Sequence, residues 1–189
     1  MTTFEIFKDE ILPITLKHEG GYVNDPADRG GETYRGVSRR ANPNWKGWEL
    51  LQKHLPLKRG DIINDNELKK AVAEVYWEKY FKCNGLNEVT SFLVALQIFD
   101  FAVHGGFSKT KLQELLNSQF GASLTVDGVI GQKSVNAINA CEPTILSAAI
   151  LAWRKGHLAR IIERDSTQAR FERGWNSRLA YLGRVKENN

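Results

Sequence analysis

The stretch TSFLVALQIFDFAVHGG, Thr90 to Gly106, constrains the fold of this chain more than any other. Between its opening Thr-Ser and its closing glycine pair it is apolar almost all round, and only Gln97, Asp100 and His104 interrupt it. A helix without a polar face has to be enclosed by other elements. The flanking sequence supplies helices for that purpose. Residues 3–19 set Phe4, Phe7, Ile11, Ile14 and His18 near helical spacing, with Gly20 as the stop. Pro13 falls inside this run and should bend the helix or delay its start. A short helix fits around Trp48–His54. In NDNELKKAVAEVYWEKYF, Asn64 followed three residues later by Glu67 resembles a capping box, ahead of Leu68, Val72, Val75 and Tyr76 on one face. Ser108 is placed to cap a helix reaching Phe120, and TVDGVIGQKSVNAINA reads as a turn and a short helix. Two more helices fit Pro143–Arg164 and about Gln168–Lys186. Residues 20–37, punctuated by glycine, read as a turn-rich loop or a short irregular hairpin. The expected fold class is mainly α, with at most a short β-hairpin after the first helix. At 189 residues the chain can bury one core, or two small lobes at most.

A composition of 42% hydrophobic and 25% charged residues is that of a soluble globular protein. No run of about 18 apolar residues is long enough to cross a membrane. Acids recur through MTTFEIFKDEILPITLKHE, where a signal peptide would need an uninterrupted apolar core. The expectation is a protein held in the cytoplasm until something releases it. Cys83 and Cys141 form no CxxC and are expected to be reduced and packed. The four histidines cluster neither with each other nor with the cysteines, so no metal and no cofactor is expected. The net charge of +4 is uneven: residues 151–189 hold nine Lys/Arg against four Asp/Glu, and residues 1–150 hold seventeen against eighteen. A basic segment favours a polyanionic partner such as nucleic acid, an anionic membrane or an acidic wall polymer. No helix-turn-helix, RNA-recognition or zinc signature supports nucleic acid.

The chemistry concentrates in HEGGYVNDPADRGGETYRGVS, His18 to Ser38. A turn-rich stretch this long inside a small domain is more often functional than a mere connector. Glycoside hydrolysis commonly uses a carboxylic acid to protonate the leaving oxygen and a second carboxylate beside it. Glu19, at a helix C-terminus where the dipole disfavours negative charge, suits the first task. Gly20 and Gly21 leave room for a polymer to approach it. Asp28 follows nine residues later across the Asp25-Pro26 turn, and Thr33 offers a hydroxyl to orient a water. Asp25 and Asp28 could equally be turn caps. Tyr22 and Tyr34, with Asn24, are the candidates for sugar contacts, because aromatic faces pack on sugar C–H surfaces. Gln97, Asp100 and His104, spaced by three and four, share one stripe of their helix. That stripe either faces a cleft and binds sugar or supports the acid, or it forms a satisfied buried network.

These residues carry a resemblance. EGGYVNDPADRGGETYRGVS is similar to the opening motif of the glycoside hydrolase family 108 muramidases, the phage-type lysozymes, and VYWEKY, FDFAVHGG, DGVIG and GWNSR resemble further parts of them. The similarity covers essentially the whole chain. It implies a lysozyme-like helical fold with a catalytic region over 1–90. A helical peptidoglycan-binding region over 91–189 would pack with the first into one compact unit. It also implies Glu19 as catalytic acid and peptidoglycan as substrate. The interval from Glu19 to Asp28, with Thr33 beyond, is similar to the Glu/Asp/Thr triad of phage lysozymes. The implied activity is an endolysin-type lysozyme cutting the β-1,4 bond between N-acetylmuramic acid and N-acetylglucosamine. It would be a monomer drawn to the anionic cell envelope, released by a holin to act on the periplasmic wall. A lytic transglycosylase and a non-catalytic wall-binding or secretion-activating protein are the alternatives.

Overall fold

A computed structural model describes residues 1–25 and 31–187. The chain divides into two compact units, Phe4–Lys79 and a second formed by Met1–Thr3 together with the chain from Tyr80 onward. Both are mainly helical, and strand is confined to a small sheet in the first.

In the first unit, Pro13 shapes the opening helix. A proline in a helix interior removes one hydrogen bond and collides with the carbonyl four residues back. The chain meets this by widening the preceding turn. Short helix α1 (Phe4–Ile6) runs into a π turn (Phe7–Ile11), whose Leu12 N–H reaches back to the Phe7 carbonyl, and α2 (Leu12–Leu16) begins with Pro13 in its first turn. Phe7, Ile11 and Leu12 are buried by this segment, and Trp77 packs against the rings of Phe4 and Phe7. Three two-residue strands follow, β1 (Tyr22–Val23), β2 (Thr33–Tyr34) and β3 (Val37–Ser38), paired antiparallel in the order β1-β2-β3. The register sets Tyr22 opposite Tyr34 and Tyr34 opposite Val37, all three buried, while Val23, Thr33 and Ser38 share the other face. The sheet thus has one strand more than a hairpin. Helix α3 (Gly47–Gln52) and helix α4 (Asn66–Tyr76) complete the unit. The cap of α4 is Asp65, which accepts from Leu68 N–H, not Asn64. His54 lies 3.1 Å from the same carboxylate and helps to hold it there.

In the second unit, α5 (Phe92–Val103) is the enclosed helix, and every residue from Leu93 to Phe101 is buried. Ser91 caps it through Val94 N–H, and Gly105, with φ +88°, follows its end. Glu187 also serves the start of α5: its carboxylate accepts from the Ser91 hydroxyl at 2.7 Å and from the amides of Phe92 and Leu93 at 2.7 and 3.2 Å. A carboxylate is favoured there by the positive end of the helix dipole. Around α5 lie α6 (Lys109–Phe120, capped by Ser108), α7 (Gln132–Asn139), α8 (Pro143–Arg164) and α9 (Glu172–Leu182), with α8 its main neighbour. Of the C-terminal cations, Lys155, Arg160, Arg164, Arg170, Arg173 and Arg184 are exposed, whereas Arg154 and Arg178 are buried.

Candidate active site

Glu19 stands just beyond α2. His18 and Glu19 donate their amides to the carbonyls of Thr15 and Leu16, a tightened last turn, and Gly20 then leaves the helix with φ +57°. Glu19 is partly exposed. The glycine after Gly20 has a different duty from leaving space for a polymer. A side chain on Gly21 would begin 2.3 Å from the Gly60 carbonyl oxygen, so the protein's own backbone fills that space. The contact is fixed by Tyr22 N–H to Asp61 O at 2.9 Å and Gly60 N–H to Tyr22 O at 2.8 Å.

The β2–β3 turn closes over the acid. Its two central residues, Arg35 and Gly36, both have positive φ, +50° and +79°, as the two-residue turns that match strand twist require. Arg35 donates its amide to the Gly21 carbonyl and its guanidinium to the Gly20 carbonyl, both at 3.3 Å, which anchors the turn to the segment carrying Glu19. Tyr76, buried on α4, donates its hydroxyl to the Arg35 carbonyl at 2.9 Å. A side chain on Gly36 would begin 2.1 Å from that hydroxyl and 3.3 Å from Glu19 Oε2. Arg35 and Gly36 are therefore neighbours of Glu19 that the sequence reading passed over, and Tyr76, read there only as part of a helix face, holds their turn. The Tyr-Arg-Gly-Val run, a two-residue turn between strand-forming residues, was the signal available for the first two.

Gly36→Ala is expected to force the Tyr76 hydroxyl and the Glu19 carboxylate out of place and to put alanine in a left-handed backbone. The backbone alone costs about 1–2 kcal/mol, and displacing a catalytic group by about 1 Å can cost up to about 100-fold in rate. Turbidity loss of a wall suspension, normalised to folded protein, checks this; wild-type lysis by the variant would make the contact incidental.

Asp28 lies outside the described residues. Thr33, on the face away from the buried tyrosines, donates its hydroxyl to the Gly31 carbonyl at 3.1 Å. Asn24 is exposed and lines a pocket of about 350 Å³ with Val23, Asp25, Leu57 and Arg59. Tyr22 and Tyr34 are 5% and 2% exposed; Tyr22 also lines the pocket beside Asn24, and Tyr34 lines another beside Arg35. Burial, with the hydrogen bond to Glu32, pushes the Tyr22 phenol above its ordinary range, so it stays a donor to Glu32 at 2.9 Å. Glu32 is also gripped by Arg39 at 2.6 Å, and the Tyr34 hydroxyl accepts from Ile63 N–H. Both phenols are thus engaged within the fold.

Gln97, Asp100 and His104 belong to the other unit. Gln97 donates to the Leu182 carbonyl. Asp100, fully buried, takes Arg154 at 2.7 Å and Arg178 through two bonds of 2.9 Å. Burial alone would raise its pKa, but the Arg178 hydrogen bonds and the charges of both arginines outweigh it and hold the carboxyl below its ordinary range. His104 meets Trp175 edge-on, and burial with the two guanidinium charges pushes it down to about 4. Asp100, Arg154 and Arg178 form a buried ion cluster joining α5, α8 and α9. Among the described residues no group of His, Cys, Asp or Glu is arranged to hold a metal.

Two family models match the chain, and the longer match runs across the boundary between the two units. A family model described as Predicted Peptidoglycan domain matches residues 109–180. Among solved structures, that of SagA from Brucella abortus has the same fold, with a TM-score of 0.59 at 22% identity over 96% of this chain and 98% of that one. The comparison with curated proteins gives no match. The model described as Glycosyl hydrolase 108 matches residues 12–106, just over half of the chain, and takes in Glu19 and the turn above it. The chain thus belongs to the glycosyl hydrolase 108 family and is a glycoside hydrolase of peptidoglycan.

Proposed function

We propose that the protein is a muramidase, hydrolysing the β-1,4 bond between N-acetylmuramic acid and N-acetylglucosamine with Glu19 as general acid. The observation that carries this reading is the Glu19 carboxylate. It is partly exposed at a helix end, with Gly36 beside it where any side chain would crowd it. A proton donor must reach the leaving oxygen within hydrogen-bond distance, which needs an approachable carboxyl in a fixed place. Asp28 is assigned as the second carboxylate on its interval from Glu19. The Thr33 hydroxyl, already donating to Gly31, keeps lone pairs that can accept from the attacking water.

The products decide. Purified peptidoglycan, digested and then reduced with borohydride, should yield muramitol ends seen by mass spectrometry. Non-reducible 1,6-anhydromuramic ends would make the enzyme a lytic transglycosylase, and reduced glucosamine ends would move the cut to the other bond.

A further inference from the structure

The turn that meets Glu19 has a second side. Arg35 lines a pocket of about 720 Å³ in the Phe4–Lys79 unit, with Leu12, Leu16 and Val72 among its apolar wall and Lys69 and Lys70 also lining it. This volume lies in the range of small-ligand sites. Ile62, in the same lining, is 60% exposed and adds an accessible aliphatic side chain to that wall.

Charge in this pocket is lopsided. Its one acid, Asp9, is paired with Lys8, which also bonds Glu5. Lys69 is hydrogen-bonded to the uncharged Asn64 amide and Arg35 to a backbone carbonyl. Among the described residues, none of Arg35, Lys69 and Lys70 is ion-paired. Three cations over an apolar wall suit a ligand that carries carboxylates and small apolar groups together. A phosphate polymer would satisfy the cations and leave the wall and Ile62 unused, and an uncharged sugar would leave the cations unused.

We propose that this pocket binds the peptide stem of peptidoglycan, so that the enzyme recognises stem carboxylates and alanine methyl groups beside the bond it cuts. The inference rests on the muramidase reading. In such a substrate the stem leaves the muramic acid ring, the sugar whose anomeric bond is broken, and so departs close to the acid. Arg35 and Gly36 match that geometry: one lines the pocket and the next abuts Glu19 Oε2.

Two substrates test it, intact sacculi and the same glycan strands freed of their stems by an amidase. Lys69 and Lys70 are exposed on α4, so K69E/K70E should fold normally. This variant should raise KM on sacculi about tenfold, as expected for replacing two exposed attractions by repulsions, and leave cleavage of stem-free glycan unchanged. K69Q/K70Q should fall between. Equal losses on both substrates, or no loss on either, would overturn the proposal. Calorimetric titration with the free stem tetrapeptide keeps the test separate from the bond assignment. Binding to wild type that is lost in K69E/K70E supports the pocket even if the cut bond proves different. Absence of wild-type binding together with an unaltered KM removes the pocket while leaving the muramidase reading intact.

Discussion

Glu19→Gln is expected to lower wall lysis by about 10²–10⁴-fold, the range associated with losing a positioned proton donor. Glutamine keeps the size of the side chain and most of its hydrogen bonding but has no proton to give the leaving oxygen. Folding should survive, because Glu19 is partly exposed beyond the last turn of α2 and holds that place by its backbone amide, which bonds the Leu16 carbonyl. Turbidity loss measured beside thermal unfolding separates the two effects. Wild-type lysis by a variant with an unchanged melting curve would remove Glu19 from the mechanism.

Asp100→Ala should have the largest effect on stability. It strips the shared acceptor from Arg154 and Arg178 and removes a fully buried negative charge bonded to both guanidinium groups. Breaking one side of a buried ion cluster costs about 3–5 kcal/mol, which for a chain of this size lowers Tm by roughly 10 °C. Asp100 and its neighbour His104 each add a pH dependence. His104 has its pKa pushed from 6.5 to about 4, so the unfolded chain takes up that proton first. Stability therefore falls as pH drops from 6.5 towards about 4. Asp100 is held below its ordinary 3.8, so its contribution is intact above that value and is lost as pH falls through the lower, folded one. Wild type should lose Tm in both windows, and the Asp100→Ala protein, already destabilised at neutral pH, should lose less than wild type in the second, where Asp65, Asp127, Glu142 and Asp165 still titrate below their ordinary range. A variant melting with wild type at neutral pH would show the cluster to be neutral for stability.

What was legible in the sequence was local. The apolar run of α5, the serine cap at Ser108 and the closing glycine pair are each written within a few neighbouring residues. The acid at the end of the first helix was legible for the same reason. What escaped depends on partners far along the chain. The choice of Asp65 over Asn64 as cap involves His54, eleven residues away. The purpose of Gly21 is set by Gly60, and the turn over Glu19 is held by Tyr76, 41 residues beyond Arg35. The stripe on α5 was visible, but its arginines lie 54 and 78 residues later, so a buried network and a sugar-binding face looked alike. The burial of Tyr22 and Tyr34 was not legible because two-residue strands have no readable period. Only their pairing across the sheet turns them inward.

The Asp100 cluster also bears on how proteins of this kind can be assembled from parts. The glycosyl hydrolase match ends at residue 106 and the peptidoglycan-domain match begins at 109, which invites reading the chain as two exchangeable modules. Asp100 lies before that seam and both its arginines lie after it. Recombination there parts an acid from its counter-ions and leaves α5 without the helices that enclose it. A wall-binding module in this architecture therefore travels with the helix that precedes it, and the functional seam lies upstream of the one drawn by sequence families.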